Sequence, residues 1–155
     1  MDTKYKPIKP EDVYYSIVEE ELTNPKYWRS IVSNEYGNYP SGNNFIDLFA
    51  ALVREHGYRP VKLYARLMGV EYRHLVGAIY AMTGMEPRQW IHEYLNLAVC
   101  ELIEKTNWTM KKIAQRFNFS QVSFSRFFRL MNKCTPYEWM TLKRYGKKIS
   151  YHTVY

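Results

Sequence analysis

One unit used twice is the feature of this sequence that leaves the fewest folds open. VKLYARLMGVEYRHLVGAIYAMTGMEPRQW, residues 61 to 90, aligns without a gap on MKKIAQRFNFSQVSFSRFFRLMNKCTPYEW, residues 110 to 139, an offset of 49 residues. The alignment sets Lys62 on Lys111, Ala65 on Ala114, Met82 on Met131, Pro87 on Pro136 and Trp90 on Trp139. Apolar positions coincide as well: Val70 with Phe119, Leu75 with Phe124, and Ile79 with Phe128.

Each copy has the plan of a helix-turn-helix. A short helix carries a small residue in its middle, Ala65 or Ala114, which lets another helix pack close. A tight turn follows at Gly69 or Asn118, residue types that tolerate the left-handed backbone, and a second helix begins. In the second copy Phe124, Phe127, Phe128 and Met131 fall at the i, i+3, i+4, i+7 spacing of a buried helix face. Val122, Ser125, Arg126 and Arg129 then gather on the opposite side. The corresponding outward positions of the first copy are Arg73, Val76, Gly77 and Tyr80.

The rest of the chain is helical in pattern too. Pro10-Glu11-Asp12 can open a helix that runs through Ile17, Val18 and Leu22 and ends at Asn24-Pro25, and a short amphipathic piece covers Tyr27 to Val32. SNEYGNYPSGNN, residues 33 to 44, is dense in turn formers and reads as a linker. Phe45, Leu48, Phe49 and Leu52 then recur at helical spacing until His56-Gly57. Helices are expected near 60–68, 71–82, 87–105, 109–116, 120–131 and 135–145, and no stretch alternates cleanly enough for a strand. The fold class is all-α: an N-terminal extension (1–44), a first helix-turn-helix (45–86), a linking helix (87–105), a second helix-turn-helix (106–145) and a tail (146–155).

Charge separates the copies. The net charge of +7 divides into −3 over residues 1–50 (5 Lys/Arg, 8 Asp/Glu), +1 over 51–105 (7 against 6) and +9 over 106–155 (10 against 1). Ten cations with Glu138 as the single anion form an electrostatic footprint for a polyanion, most often nucleic acid, because neutralising phosphates releases counterions. A solvated basic face beside an acidic partner segment is the alternative.

Several classes are excluded. With 46% apolar and 17% aromatic residues the chain folds rather than staying disordered. No apolar run approaches the roughly 18 residues of a membrane helix. The start, MDTKYKPIKPEDVYY, lacks the apolar stretch of a signal peptide, so the expected location is cytoplasmic, at the nucleoid, with no membrane partner. Cys100 and Cys134 have no close Cys or His at metal spacing, and His56, His74, His92 and His152 form none, so no metal and no cofactor is expected. His92-Glu93 lacks a second histidine one turn on, and neither a phosphate-binding glycine loop nor a nucleophile motif occurs, so the chain is not read as an enzyme.

The Ala-containing helix followed by NFSQVSFSRFFRLMNKCTPYEW resembles the second helix-turn-helix of AraC/XylS-type transcription regulators, and ARLMGVEYRHLVGAIYAMTGMEPRQWI resembles their first. The likeness covers about residues 45 to 145, with both half-motifs in the family's order. It implies two homeodomain-like subdomains whose recognition helices enter successive major-groove segments on one face of double-stranded DNA. A linking helix from Pro87 to Lys105 would be about 28 Å long at 1.5 Å per residue, against roughly 34 Å between successive major-groove segments. Carried over position by position, the family's base-contacting residues are Arg73, Val76 and Gly77 in the first unit and Gln121, Val122, Ser125 and Arg126 in the second.

Side-chain chemistry suggests the roles. Arg73 and Arg126 suit bidentate contacts to guanine, Val76 and Val122 suit thymine methyls, and Gln121 suits adenine or the fixing of the helix start. Arg73 has an alternative partner in Glu71. Ser120 is a candidate N-cap whose helix start faces a phosphate. Lys62, Tyr80, Lys111, Lys112 and Arg129 are assigned to the DNA backbone. Two departures from the family pattern stand out: the second unit is one residue shorter between its turn and the first core aromatic, and Asn118 stands where glycine is common. Val76 and Gly77 offer little hydrogen bonding, so the first unit is expected to read shape and phosphate more than bases.

Many family members carry a separate effector-binding, dimerising domain, and the 44 residues upstream here are too few for one. This acidic segment, with Tyr5, Tyr14, Tyr15, Tyr27, Tyr36 and Tyr39, is expected to pack on the helical unit, recruit RNA polymerase or another regulator, or mediate a weak homodimer. It can also compete with DNA for the basic face. Some DNA-repair regulators of this type use alkyl-accepting cysteines; Cys100, among Leu97, Val99 and Leu102, and Cys134, in a loop, are read as packing instead. The functional expectation is a sequence-specific regulator acting as a monomer on DNA, the alternative a protein-interaction module with only non-specific DNA binding.

Overall fold

A computed structural model describes residues 6–18 and 43–146. Among them there are eight helices and no strand: α1 (Pro10–Val13), α2 (Asn44–His56), α3 (Val61–Met68), α4 (Tyr72–Thr83), α5 (Pro87–Lys105), α6 (Met110–Arg116), α7 (Gln121–Asn132) and α8 (Pro136–Tyr145). The expected piece at Tyr27–Val32 and most of the linker at 33–44 lie outside the described residues. The linker's last two residues are part of α2: Asn43 caps it, its side chain accepting from the Ile46 N–H at 3.1 Å, and Asn44 opens it.

The repeat holds in three dimensions, residue for residue. Starts at Val61, Tyr72 and Pro87 correspond to starts at Met110, Gln121 and Pro136 across the same 49 positions. Val70 N–H donates to Ala65 C=O at 3.0 Å, as Phe119 N–H donates to Ala114 C=O at 2.8 Å. The turns are left-handed at matching places, φ 72° at Gly69 and 63° at Asn118. After the recognition helices the match continues, with φ 76° at Gly84 and 63° at Lys133. The second turn is thus the same length as the first within this chain, and Asn118 does the work of glycine there.

α5 is the shared spine. Its apolar side buries Trp90, Ile91, Tyr94, Leu95, Ala98, Val99, Leu102 and Ile103, and it packs on α2 and α4 of the first unit and α6, α7 and α8 of the second. Proline at its first position costs nothing, since that N–H has no partner inside the helix. In the second unit the aromatic stripe falls as the spacing predicts, with Phe124, Phe127 and Phe128 buried and Met131 half-buried against them.

The N-terminal segment differs from the sequence expectation. The helix opened by Pro10 ends at Val13 and the backbone is helical again at Ile17 and Val18, with Tyr14 to Ser16 between serving as partners for charges on α2 and α5; the expected continuation to Leu22 and the stop at Asn24-Pro25 lie outside the described residues. Glu101 on α5 accepts from the Tyr14 hydroxyl, from Ser16 Oγ at 2.7 Å and from the Ile17 N–H at 2.9 Å. Arg54, completely buried on α2, donates to the carbonyls of Tyr15 at 2.9 Å and Ser16 at 3.0 Å and to Tyr94 Oη at 3.2 Å. A buried guanidinium is expensive unless it is hydrogen-bonded, and the Tyr15 and Ser16 carbonyls meet that need at the interruption between the two helical stretches. Ile8 extends the strap, its N–H donating to Met82 C=O at 3.0 Å and its carbonyl accepting from the Trp90 indole at 3.3 Å.

Candidate nucleic-acid interface

Both recognition helices, α4 and α7, turn their sequence-selected positions outward. Arg73, Gly77 and Tyr80 are exposed on α4 and Val76 is half-buried. On α7, Gln121, Val122, Ser125, Arg126 and Arg129 are all exposed, Val122 to 67%. Arg73 forms no ion pair with Glu71 among the described residues, and both N-terminal neighbours of the helices differ in chemistry. Ser120 caps α7 by a reciprocal pair: its Oγ accepts from the Ser123 N–H at 3.0 Å, and Ser123 Oγ accepts from the Ser120 N–H at 2.9 Å. Glu71 provides no side-chain cap for α4.

The cap refines the expectation for Ser120. Its hydroxyl is engaged with Ser123, so what it offers an anion is the pre-set helix start.

Three expected contacts converge in one place. Lys111, Gln121 and Ser125 line a cleft of about 250 Å3 between the starts of α6, α7 and α8, together with Tyr137, 58% exposed at the rim. Val122, Arg126 and Arg129 lie outside that cleft, on the exposed side of α7. The first unit repeats the pairing of leading helix and recognition helix: Lys62 Nζ lies 5.8 Å from the centre of the Tyr72 ring, at the positions equivalent to Lys111 and Gln121. Lys112 is partly occupied, its ammonium 4.0 Å from the Trp108 ring centre.

What the sequence did not reveal is a seam joining the two units directly. The Tyr58 N–H donates to Phe117 C=O at 2.7 Å, Asn118 Nδ2 to Tyr58 C=O at 3.0 Å, and Arg116 Nη1 to Arg54 C=O at 2.9 Å. The Tyr58 ring stacks on Phe119, centroids 4.5 Å apart, one residue before the Ser120 cap. Gly57, φ 74°, permits this approach: a Cβ there would stand 2.3 Å from the Phe117 carbonyl oxygen. Its own carbonyl accepts from the buried Tyr64 hydroxyl. The turn that presents α7 is therefore held by the end of α2 as well as by its own unit. Gly57 reads as a helix stop and Asn118 as a turn, but nothing local in the sequence connects the two.

The thiols are unfavourable nucleophiles. Burial, then the Glu104 charge, pushes the Cys100 thiol up to about 12, and burial raises Cys134 as well. Among the described residues no group of three His, Cys, Asp or Glu side chains can hold a metal ion, and no helix is long and apolar enough to cross a membrane.

Two matched helix-turn-helix units on one spine, each with an exposed face on its second helix, define a tandem helix-turn-helix protein. A family profile described as a helix-turn-helix domain matches residues 64–141. The chain belongs to this AraC-type helix-turn-helix family and carries its DNA-binding transcription-regulator domain. Among solved structures, the C-terminal domain of AraT, a response regulator from Geobacillus stearothermophilus, is similar with a TM-score of 0.57 and 17% identity, over 70% of this chain and 89% of that one. At that identity the likeness concerns the fold. No curated protein sequence matches the chain.

Proposed function

We propose that the protein is a sequence-specific regulator that reads two successive major-groove segments of double-stranded DNA, one with α4 and one with α7. The observation that carries this reading is the fixed relation of two equivalent units, tied through α5 and again through the Gly57–Phe117 seam. In α7, Arg126 suits guanine, Gln121 adenine or the cleft beside Lys111, Val122 a thymine methyl, and Ser125 a further base edge. In α4, Arg73 is the main reader, while Val76 and Gly77 bring the backbone close and leave shape to contribute. Lys62, Tyr80, Lys111, Lys112, Arg129 and the Ser120 helix start position the phosphates. The protein binds as a monomer, and residues 1–44 serve packing, a weak homodimer or contact with RNA polymerase or another regulator. Its action is non-enzymatic, at the nucleoid.

The competing reading, a protein-interaction module with only non-specific DNA binding, draws on the exposure of Tyr80, Val122 and Leu130, each above 60%. Selection from random duplexes at physiological salt separates the two. Specific regulation requires enrichment of one motif with two half-sites about a helical turn apart. Binding that is steeply salt-dependent without any enriched motif would falsify it.

A further inference from the structure

A cavity of about 330 Å3 opens at the seam, lined by Tyr58, Arg59, Pro60 and Val61 from the α2–α3 loop and α3, and by Arg88 and His92 from α5. Arg59 and Arg88 are exposed, and among the described residues neither has a carboxylate within ion-pair distance. Two guanidiniums facing one space without an acid between them repel each other and raise the local potential. His92 reports that potential. It lies between the Tyr58 and Phe127 rings, each 5.7 Å away, and burial, then the Arg88 charge, holds its imidazole below the usual histidine range.

The cavity's position fits its charge. Pro60 is the N-cap of α3 and its carbonyl accepts from the Leu63 N–H at 3.0 Å, so the helix start lies at the cavity wall, and exposed Lys62 follows directly. Tyr58, which also lines the cavity, is fixed to Phe117 and stacked on Phe119, at the threshold of α7. The space lies between the α2–α3 loop with the start of α3 on one side and α5 on the other, and Tyr58 links it to the turn before α7. Planar guanidiniums match tetrahedral oxyanions through paired N–H donors, and Arg is favoured for phosphate where such geometry matters.

We infer that the seam cavity is a phosphate-binding site in which Arg59 and Arg88 grip the oxygens of a phosphate group. This rests on the DNA-binding reading for one source of that phosphate, the backbone running between the two half-sites. A free phosphate or phosphorylated small molecule is the other source, with the same chemistry. Charged groups around His92 are Arg59 and Arg88 on this side and Glu86 and Glu93 along the neighbouring cleft, while α7 presents Phe127, Leu130 and Met131. A bound dianion cancels the Arg88 contribution and moves the His92 titration upward.

The test uses the full chain, its Arg59→Gln, Arg88→Gln and double variants, and the duplex enriched by selection. Replacing the central phosphates between the half-sites by neutral methylphosphonates should weaken wild type about tenfold or more and leave the double variant unchanged if the backbone is the source. The double variant should also lower the salt slope by about 2. Inorganic phosphate, titrated without DNA, should raise the His92 titration midpoint seen by NMR in wild type and not in the double variant if a free anion is the source. Either result supports the site. No methylphosphonate effect together with no His92 response overturns it. Should selection enrich nothing, the DNA reading falls by itself, and the phosphate titration still decides the cavity.

Discussion

The two helix-turn-helix units share a backbone and differ in how they are held and in what they show. The first is secured from outside: the strap of residues 6–18 caps its Trp90 indole with the Ile8 carbonyl and wraps Arg54. The equivalent Trp139 of the second unit has a buried indole nitrogen with no partner among the described residues. The second unit is secured from within, by four aromatic rings, Phe119, Phe124, Phe127 and Phe128, and by capping boxes at Ser120 and Thr135. The outer faces diverge in parallel. Where α7 carries Ser125 and Arg126, α4 carries Val76 and Gly77. A duplicated scaffold thus keeps one geometry while its two outer faces differ in chemistry, one polar and charged where the other is small and apolar.

Breaking the geometry they share should have the largest effect. Gly57→Ala places a methyl against the Phe117 backbone and forces a side chain into a left-handed conformation. We expect a loss of at least about 2 kcal/mol in chemical denaturation, from strain and the lost seam together. An unchanged midpoint would show that the seam contributes nothing to the fold.

The difference in readout comes next. Arg126→Ala should relax one base position in the second half-site by about 1–3 kcal/mol, whereas Lys111→Ala should weaken all sequences alike. Equal, sequence-independent losses from both, measured by competition binding, would put the assignment of α7 residues in error. The difference in capping is smaller. Ser120→Ala should cost about 1 kcal/mol, while Glu71→Ala at the equivalent, uncapped position should lie within about 0.5 kcal/mol of wild type; equal thermal shifts would contradict the contrast.

The strap offers the gentlest probe. Burial alone would raise the Glu101 carboxyl, but hydrogen bonds from Tyr14, Ser16 and Ile17 outweigh it and hold the group below its ordinary value. A depressed carboxylate stabilises above its unfolded pKa of about 4.3 and loses that contribution as pH falls through the folded value. Amide exchange at Ile17 should therefore accelerate in acid, below the ordinary carboxylate range, before α7 amides respond. Simultaneous loss at both places would mean the strap is no separate element.

Most of the fold was legible because the signals are local and repeated. Six helices from 60 to 145 lie within a residue of their expected ends, since proline, Ser120, Thr135, Gly69 and Gly84 mark them chemically. The outward face of α7 followed from its aromatic spacing. The strap departs from its local pattern because Tyr14 to Ser16 suit a helix on their own and give it up near Glu101 and Arg54, residues 84 and 39 positions away in the bonds to Ile17 and Tyr15. The seam was invisible for the same reason: Gly57 and Phe117 are unremarkable until they touch.

That contact bears on how the protein tolerates change in its target. Two readers on a flexible tether adapt when a base pair is added between their half-sites, an insertion that turns the second groove by about 34°. If α4 and α7 read successive grooves as proposed, the α2 terminus lodged against the α7 turn makes the units behave as meshed gear teeth instead, and spacing is expected to be as strict a requirement as base identity.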